Sequence, residues 1–214
     1  MIDEVLPDVY DVTVSESDGR RMRVYLLNRT VPTLVDTGFA ETTDALFDGI
    51  EAIGTEPERL IVTHGDSDHV GGYDAVVEEY DLETWVPEET DLDSSVEPDK
   101  RYGHGDEIGP FEAVHTPGHQ PDNYALVDED AALLVPGDAV FGADFRGLPE
   151  GYLVAPPALY SDDVNEAERS MERLLEYEFD AVLVFHGSAV LEGGYDRLDE
   201  FVNFPGKPEW ATYR

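Results

Sequence analysis

The string Thr63-His64-Gly65-Asp66-Ser67-Asp68-His69-Val70-Gly71-Gly72 constrains this chain more than any other stretch. It follows the apolar, β-branched run from Arg59 to Thr63, which reads as a buried strand, and precedes a helical pattern from Tyr73 to Tyr80. Four metal-competent side chains are therefore expected at one strand end, where a rigid scaffold can hold a site. In extended backbone, residues two apart face the same side, which pairs His64 with Asp66. A turn at Gly71 and Gly72 is expected to send Asp68 and His69 in another direction, so that one loop can serve two adjacent metal ions.

Composition removes the competing chemistries. The 214 residues include no cysteine, which excludes disulfides, thiolate zinc sites, Fe–S clusters and a cysteine nucleophile. A transition-metal site must use the six histidines and the carboxylates. Asp and Glu number 49 against 13 Lys and Arg, a formal charge of -36, and the only lysines are Lys100 and Lys207. A protein that neutralises nucleic-acid phosphates needs the opposite balance, so no nucleic-acid partner is expected. With 41% hydrophobic residues the chain can still build a core, and its acids are spread along the whole length rather than gathered in a tail. We read them as a solvation device suited to a high-salt cytoplasm. No apolar run approaches the ~20 residues that span a bilayer, and Asp3, Glu4 and Asp8 do not form the basic-then-apolar start of a signal peptide, so a cytoplasmic protein without a membrane partner is expected.

The length predicts a single domain over residues 1–214. Antiparallel strands are expected at Val9 to Val14, Met22 to Leu27 and Thr33 to Val35. A helix over Ala45 to Ile53, ending at Gly54, should follow. After the motif come a strand at Thr84 to Val86, an acidic loop from Asp91 to Lys100, and strands at Phe111 to His115, Tyr124 to Val127 and Ala132 to Val135. The stretch from Asp144 to Tyr160 holds Gly147, Pro149, Gly151, Pro156 and Pro157 and is too irregular for one element, which marks a functional loop. Ser161 or Asp162 should cap a helix carrying Met171, Leu174 and Leu175, before a buried strand from Ala181 to Phe185 and a last helix from Asp196 to Phe204. Strands and helices come in runs, not in strict alternation, and this favours a layered α/β sandwich.

Three further motifs end strands: Thr116-Pro117-Gly118-His119, Gly137-Asp138 and Phe185-His186-Gly187. Together with Leu34-Val35-Asp36-Thr37-Gly38 they resemble the metallo-β-lactamase fold superfamily, whose pattern is H-x-H-x-D-H, a T-P-G-H turn, an Asp after Gly and a late His-Gly. The resemblance implies a four-layer αββα sandwich with a dinuclear site at one edge. It implies His64, Asp66 and His119 around one ion, Asp68, His69 and His186 around the other, and Asp138 between them. Asp36 would accept a hydrogen bond from a metal-binding imidazole, an alternative being a turn-capping role before Gly38. The departure from the pattern is Asp66, where the common motif has His. A carboxylate is a harder donor and moves preference toward iron or manganese, with zinc still leading for the two divalent ions. His115 and His104 are expected to flank the site or face solvent.

The activity implied is hydrolysis of a small ester or thioester, of glyoxalase II type, by a hydroxide held between the ions, with Asp68 orienting it or taking its proton. The alternatives are a lactonase or β-lactamase-like hydrolase, an iron-dependent oxidoreductase like persulfide dioxygenase, and a non-catalytic metal binder. The lactonases of the superfamily carry a Tyr where this chain has Phe141, leaving Tyr152 or Tyr160 as substitutes. A small-molecule substrate is the expected partner. Its identity is left to the loops Gly38 to Thr43, Asp91 to Gly105 and Asp144 to Tyr160, and oligomeric state is left open.

Overall fold

The computed structural model describes residues 2–17 and 20–204; Lys207 lies outside the described residues. The first half forms β1 (Ile2–Leu6), β2 (Val9–Ser17), β3 (Arg20–Leu27), β4 (Thr33–Val35), α1 (Thr43–Ile53), β5 (Arg59–Ile61), α2 (Ser67–Val70), α3 (Tyr73–Glu79), β6 (Glu83–Pro87) and β7 (Lys100–Tyr102). These strands make one seven-stranded sheet in chain order, antiparallel from β1 to β4 and parallel from β4 to β7. The second half forms β8 (Glu107–Ile108), β9 (Phe111–His115), β10 (Tyr124–Asp128), β11 (Leu133–Val135), β12 (Phe141–Gly142), β13 (Leu153–Val154), α4 (Val164–Leu174), β14 (Ala181–Val182) and α5 (Gly194–Val202). Its five-stranded sheet runs β14-β11-β10-β9-β8, while β12 and β13 pair separately.

The two-residue period of each strand builds the layers. Tyr25, Leu27, Val35 and Ile61 point inward and meet Phe111, Tyr124, Leu126 and Val135 of the facing sheet. Their neighbours Val24, Leu26, Leu34 and Leu60 point outward and pack on Leu46 and Ile50 of α1 and on Tyr73 and Val76 of α3. On the far side Val114, Ala125 and Leu134 meet Met171 and Leu174 of α4 and Leu198 of α5. The result is helix, sheet, sheet, helix, the layered sandwich expected. Each fully buried Leu or Ile contributes ~1.5–3 kcal/mol. Gly49 lets α1 lie flat on β2, since a Cβ there would come within 2.4 Å of Val12 Cγ1.

Several boundaries differ from the sequence expectation. β1 and the short β7 and β8 were not legible, being too short or too charged to show alternation. Neither Ser161 nor Asp162 caps α4. Asp163 does, accepting from the N–H groups of Asn165 and Glu166, and the N–H groups of Asp162 and Asp163, held by the carbonyls of His119 and Gly118 at 3.0 and 2.9 Å, set where the helix begins. The strand expected from Ala181 to Phe185 pairs in the sheet only through Ala181 and Val182. Leu183 N–H still donates to Leu134 of β11, and beyond it the chain leaves that sheet and reaches the other, where Arg23 N–H donates to the Phe185 carbonyl and Met22 bridges His186.

Candidate metal centre

β9 and β11 are both antiparallel to β10, and β14 is parallel to β11, so the ends of β9 and β11 and the continuation of β14 emerge on one edge. β4 and β5, parallel in the other sheet, deliver Asp36 and the motif loop to the same place. Here the seven donors expected from the sequence come together. His64, Asp66 and His119 each present an atom within 4.8 Å of the others, and so do Asp68, His69 and His186. Asp138 lies between the two sets. Its carboxylate is 3.3 Å from Nε2 of His69, of His119 and of His186.

The turn that separates the two sets is not at Gly71 and Gly72, as expected, but earlier. Asp66 is extended, with ψ 145°, and the chain then enters the single helical turn α2, which swings Asp68 and His69 away from His64 and Asp66. Gly71 and Gly72 have another task. A Cβ on Gly71 would lie 2.6 Å from Ala40 N, and one on Gly72 2.8 Å from the Thr37 carbonyl, so both glycines allow the motif loop to lie against the Asp36–Ala40 loop.

Asp36 is fully buried with its backbone in the left-handed region (φ 62°), and its side chain bonds Thr63 and His69 rather than its own turn. Its Oδ1 accepts from Thr63 N–H at 2.7 Å, and its Oδ2 lies 2.7 Å from both Thr63 Oγ1 and His69 Nδ1. The single hydroxyl proton of Thr63 goes to Asp36, so the contact at 3.0 Å between Thr63 Oγ1 and His64 Nδ1 requires the proton to sit on Nδ1. Both imidazoles are thereby held with Nε2 facing the cluster. His64 Nε2, His69 Nε2 and Asp138 Oδ1 are buried there without a hydrogen-bond partner, as is His119 Nδ1. Buried orphan acceptors of this kind are costly unless a cation meets them, so the donor set fits divalent metal.

The electrostatics match that reading. Burial opposes the charge on Asp138, but His186 and His69 outweigh it and hold its carboxyl well below the usual range. For Asp66 burial is likewise overcome, by the hydrogen bond from His119 and the nearby imidazole of His64. Burial lowers the basicity of His186 and Asp138 more than restores it, raising its pKa to about 9; His69 is raised well above its ordinary value by Asp138 and Asp36 against the same penalty. Four carboxylates crowd four imidazoles, and in the absence of metal protons supply the positive charge.

Other residues that the sequence did not single out hold this frame. Asn123 Oδ1 accepts from Asp138 N–H at 2.9 Å while its amide donates to Thr116 Oγ1. Asp122 accepts from Gly65 N–H at 2.9 Å and from Thr90 Oγ1, fixing the motif loop. Gln120 Nε2 donates to Asp66 Oδ2 at 3.3 Å. Arg23, buried and paired with Asp11 at 2.7 Å, donates across the sandwich to the Gly187 carbonyl beside His186. The adjacent polar pair Asp122-Asn123, immediately before an apolar strand, was the available signal for two of them. Phe141 stacks on His186 with ring centroids 4.7 Å apart. His115 and His104 stand aside as expected, His115 bonding the Pro121 carbonyl and stacking on Tyr124.

Known proteins carry the same plan. A probable metallo-hydrolase, YflN of Bacillus subtilis, is 24% identical over 196 residues, covering 72% of this chain and 74% of that protein. A hydroxyacylglutathione hydrolase of Xylella fastidiosa is 30% identical over 111 residues, 48% of this chain and only 41% of that enzyme's length. Among solved structures, a metallo-beta-lactamase from Pontibacter korlensis superposes with a TM-score of 0.74 at 18% identity, covering 95% of this chain and 98% of that one. The sequence profile of the metallo-beta-lactamase superfamily matches residues 23–186, a span that runs from Arg23 to His186 and takes in all seven clustered donors, and the chain belongs to that superfamily.

Proposed function

We propose that this protein is a metal-dependent hydrolase of small esters or thioesters, holding two divalent ions through His64, Asp66 and His119 on one side, Asp68, His69 and His186 on the other, and Asp138 between. The observation that carries this reading is the sharing of one buried carboxylate, Asp138, by imidazoles of both sets at 3.3 Å. The partial likeness to a hydroxyacylglutathione hydrolase supports the choice of ester and thioester. Zinc leads, with iron or manganese favoured to the extent that Asp66 hardens its set. Bound there, the ions supply Lewis acidity and bring the pKa of a coordinated water toward neutrality. The chain's residues do the rest. Asp68 is the partly exposed carboxylate beside His186, 3.3 Å from its Nε2, and is held ionised at neutral pH because His186 and His69 outweigh its burial. It is therefore placed to accept a proton from the attacking water at Oδ2. Asp36 and Thr63 keep two imidazoles in one tautomer, and Phe141 shields one face of His186 from solvent. The expected setting is a high-salt cytoplasm, with a small molecule as partner and no nucleic acid. Among the described residues no helix is long and apolar enough to cross a membrane.

The test is a panel of thioesters, lactones, β-lactams and phosphodiesters, run on metal-loaded protein in concentrated KCl. Thioester or ester turnover is expected, with Asp68→Ala and His119→Ala each losing most of it while circular dichroism stays unchanged. Full activity in either variant overturns the assignment. A second reading rests on the His64, Asp66 and His119 set, since two His and one carboxylate is also the donor set of non-haem iron oxygenases. Oxygen uptake by iron-loaded protein with a persulfide, and no ester turnover, would favour it.

A further inference from the structure

The segment 145–160 combines few acids with exposed apolar side chains. The chain average would place three or four acids in these sixteen residues, and Glu150 is the only one. Of the six large hydrophobic side chains exposed among the described residues, four are here: Leu148 (52%), Tyr152 (50%), Leu159 (83%) and Tyr160 (54%). Both ends of the segment are tied to the candidate metal centre. Leu148 N–H donates to the carbonyl of Ala143, whose neighbour Gly142 donates to the His186 carbonyl at 2.8 Å. At the other end Asp162 N–H donates to the His119 carbonyl at 3.0 Å. Tyr160 and Leu159 precede Asp162 by two and three residues, a reach of at most about 11 Å. The backbone of the segment is thus anchored near His186 at one end and near His119 at the other.

Resting on the hydrolase reading above, we propose that this segment is an acyl-binding strap, and that the substrate is an uncharged ester or thioester whose acyl group is an apolar chain docking on Leu148, Leu159 and Tyr160. Tyr152 is set apart, its ring lying 5.0 Å from the Arg197 guanidinium carbon. Charge argues for the same class. The one cation of the strap, Arg146, is spent on the Ala155 carbonyl at 2.7 Å, and Asp144, Asp162 and Asp163 flank it, so an anionic acyl group would meet like charge with no free partner on the strap. Sixteen residues nearly free of acid, in a chain that otherwise covers its surface with carboxylates, also leave apolar area exposed that an apolar ligand would cover.

The experiment uses the full-length, metal-loaded protein in concentrated KCl with thioesters of one thiol and acetyl, butyryl, hexanoyl and succinyl groups. In parallel, acetohydroxamate and hexanohydroxamate are titrated by calorimetry, which reads docking without turnover. Both kcat/KM and hydroxamate affinity should rise two- to fourfold per methylene, the upper value being that of a fully buried one. Succinyl thioester should fall below butyryl. Leu159→Asn with Tyr160→Asn should bring the hexanoyl-to-acetyl ratios toward one, while Phe204→Ser, an exposed apolar residue elsewhere, leaves them unchanged. A flat chain-length series in both assays, or ratios that survive the double variant, overturns the strap. Turnover of no thioester together with chain-length-dependent hydroxamate binding overturns the hydrolase reading but keeps the strap. A wild-type dimer that the double variant dissociates, with ratios unchanged, assigns the face to a second copy and overturns the proposal.

Discussion

Asp36 Oδ2 lies 2.7 Å from His69 Nδ1, fully buried, in a strand-end residue that also receives both hydrogen bonds of Thr63. One carboxylate thus sets the proton position on His69 directly and on His64 through the threonine hydroxyl. Asp36→Asn keeps the side-chain shape and tolerates the left-handed backbone, but its amide cannot accept all three bonds. Metal affinity should fall 10- to 100-fold, the usual cost of removing such a support. Competition with a chromophoric chelator measures it, and an unchanged affinity would show that His69 does not depend on Asp36.

Asp66 accepts from His119 and Gln120 and is the hard donor of its set. Asp66→His should move selectivity toward zinc, seen as a higher zinc-to-manganese ratio after equilibrium dialysis against both. A ratio no different from the parent protein would mean that Asp66 does not coordinate.

In the metal-free protein the His186 pKa is raised to about 9, so the stability it contributes is fully present below its unfolded value of ~6.5 and is lost as pH rises through about 9. Asp138 and Asp68 are shifted down, and their contribution is lost as pH falls below the ordinary carboxylate range. Metal-free protein should therefore be most stable near pH 5–6 and weaken toward pH 9. Metal must displace the protons on His186 and His69, so calorimetry at pH 7.5 in buffers of different ionisation enthalpy should find roughly two protons released per protein loaded. No release would mean that both imidazoles are already neutral.

Gly118, next to His119, has φ 129°, and a Cβ there would lie 2.0 Å from Ala167 N in α4. Gly118→Ala should cost on the order of 3 kcal/mol or more, from backbone strain and overpacking together. Gly147→Ala, at φ 75° with nothing within 4 Å, should cost only the ~1–2 kcal/mol of the left-handed conformation. Urea melts of the two variants give the comparison, and equal losses would refute the close approach of α4.

Asp163 accepts from two N–H groups at the start of α4. Asp163→Ala should destabilise the fold by ~1 kcal/mol, whereas Ser161→Ala should cost less because Ser161 Oγ donates only to the Pro157 carbonyl. Denaturant midpoints of the two variants discriminate between them.

Much of this molecule was legible in its sequence because the signals are local. Strand alternation at Leu34-Val35 and Leu60-Ile61, the helical spacing of Leu46 and Ile50 and the glycine at 54 each reflect the geometry of a few neighbouring residues. Positions 64, 66, 68, 69, 119, 138 and 186 could be picked out as candidates for a different reason: their motifs follow strands and resemble the superfamily's pattern. The cap of α4 was misplaced by one or two residues because tertiary hydrogen bonds from Asp162 and Asp163 N–H to the His119 and Gly118 carbonyls set where the helix begins. Asp122 and Asn123 left only the signal of a polar pair before an apolar strand, and Arg23 left none, since the Gly187 carbonyl it bonds is 164 residues away in the chain.

By itself, the sequence determined which atoms are available to bind metal and which segments alternate, because side-chain chemistry and backbone period are properties of short stretches. Only the tertiary structure decided how those atoms share charge. The passage of the chain from one sheet to the other after Leu183 carries His186 to Asp138, and the parallel ends of β4 and β5 bring Asp36 beneath Thr63 and His69. Such contacts depend on packing two sheets face to face, and a separation of 33 residues between Asp36 and His69 leaves no local trace of a bond 2.7 Å long.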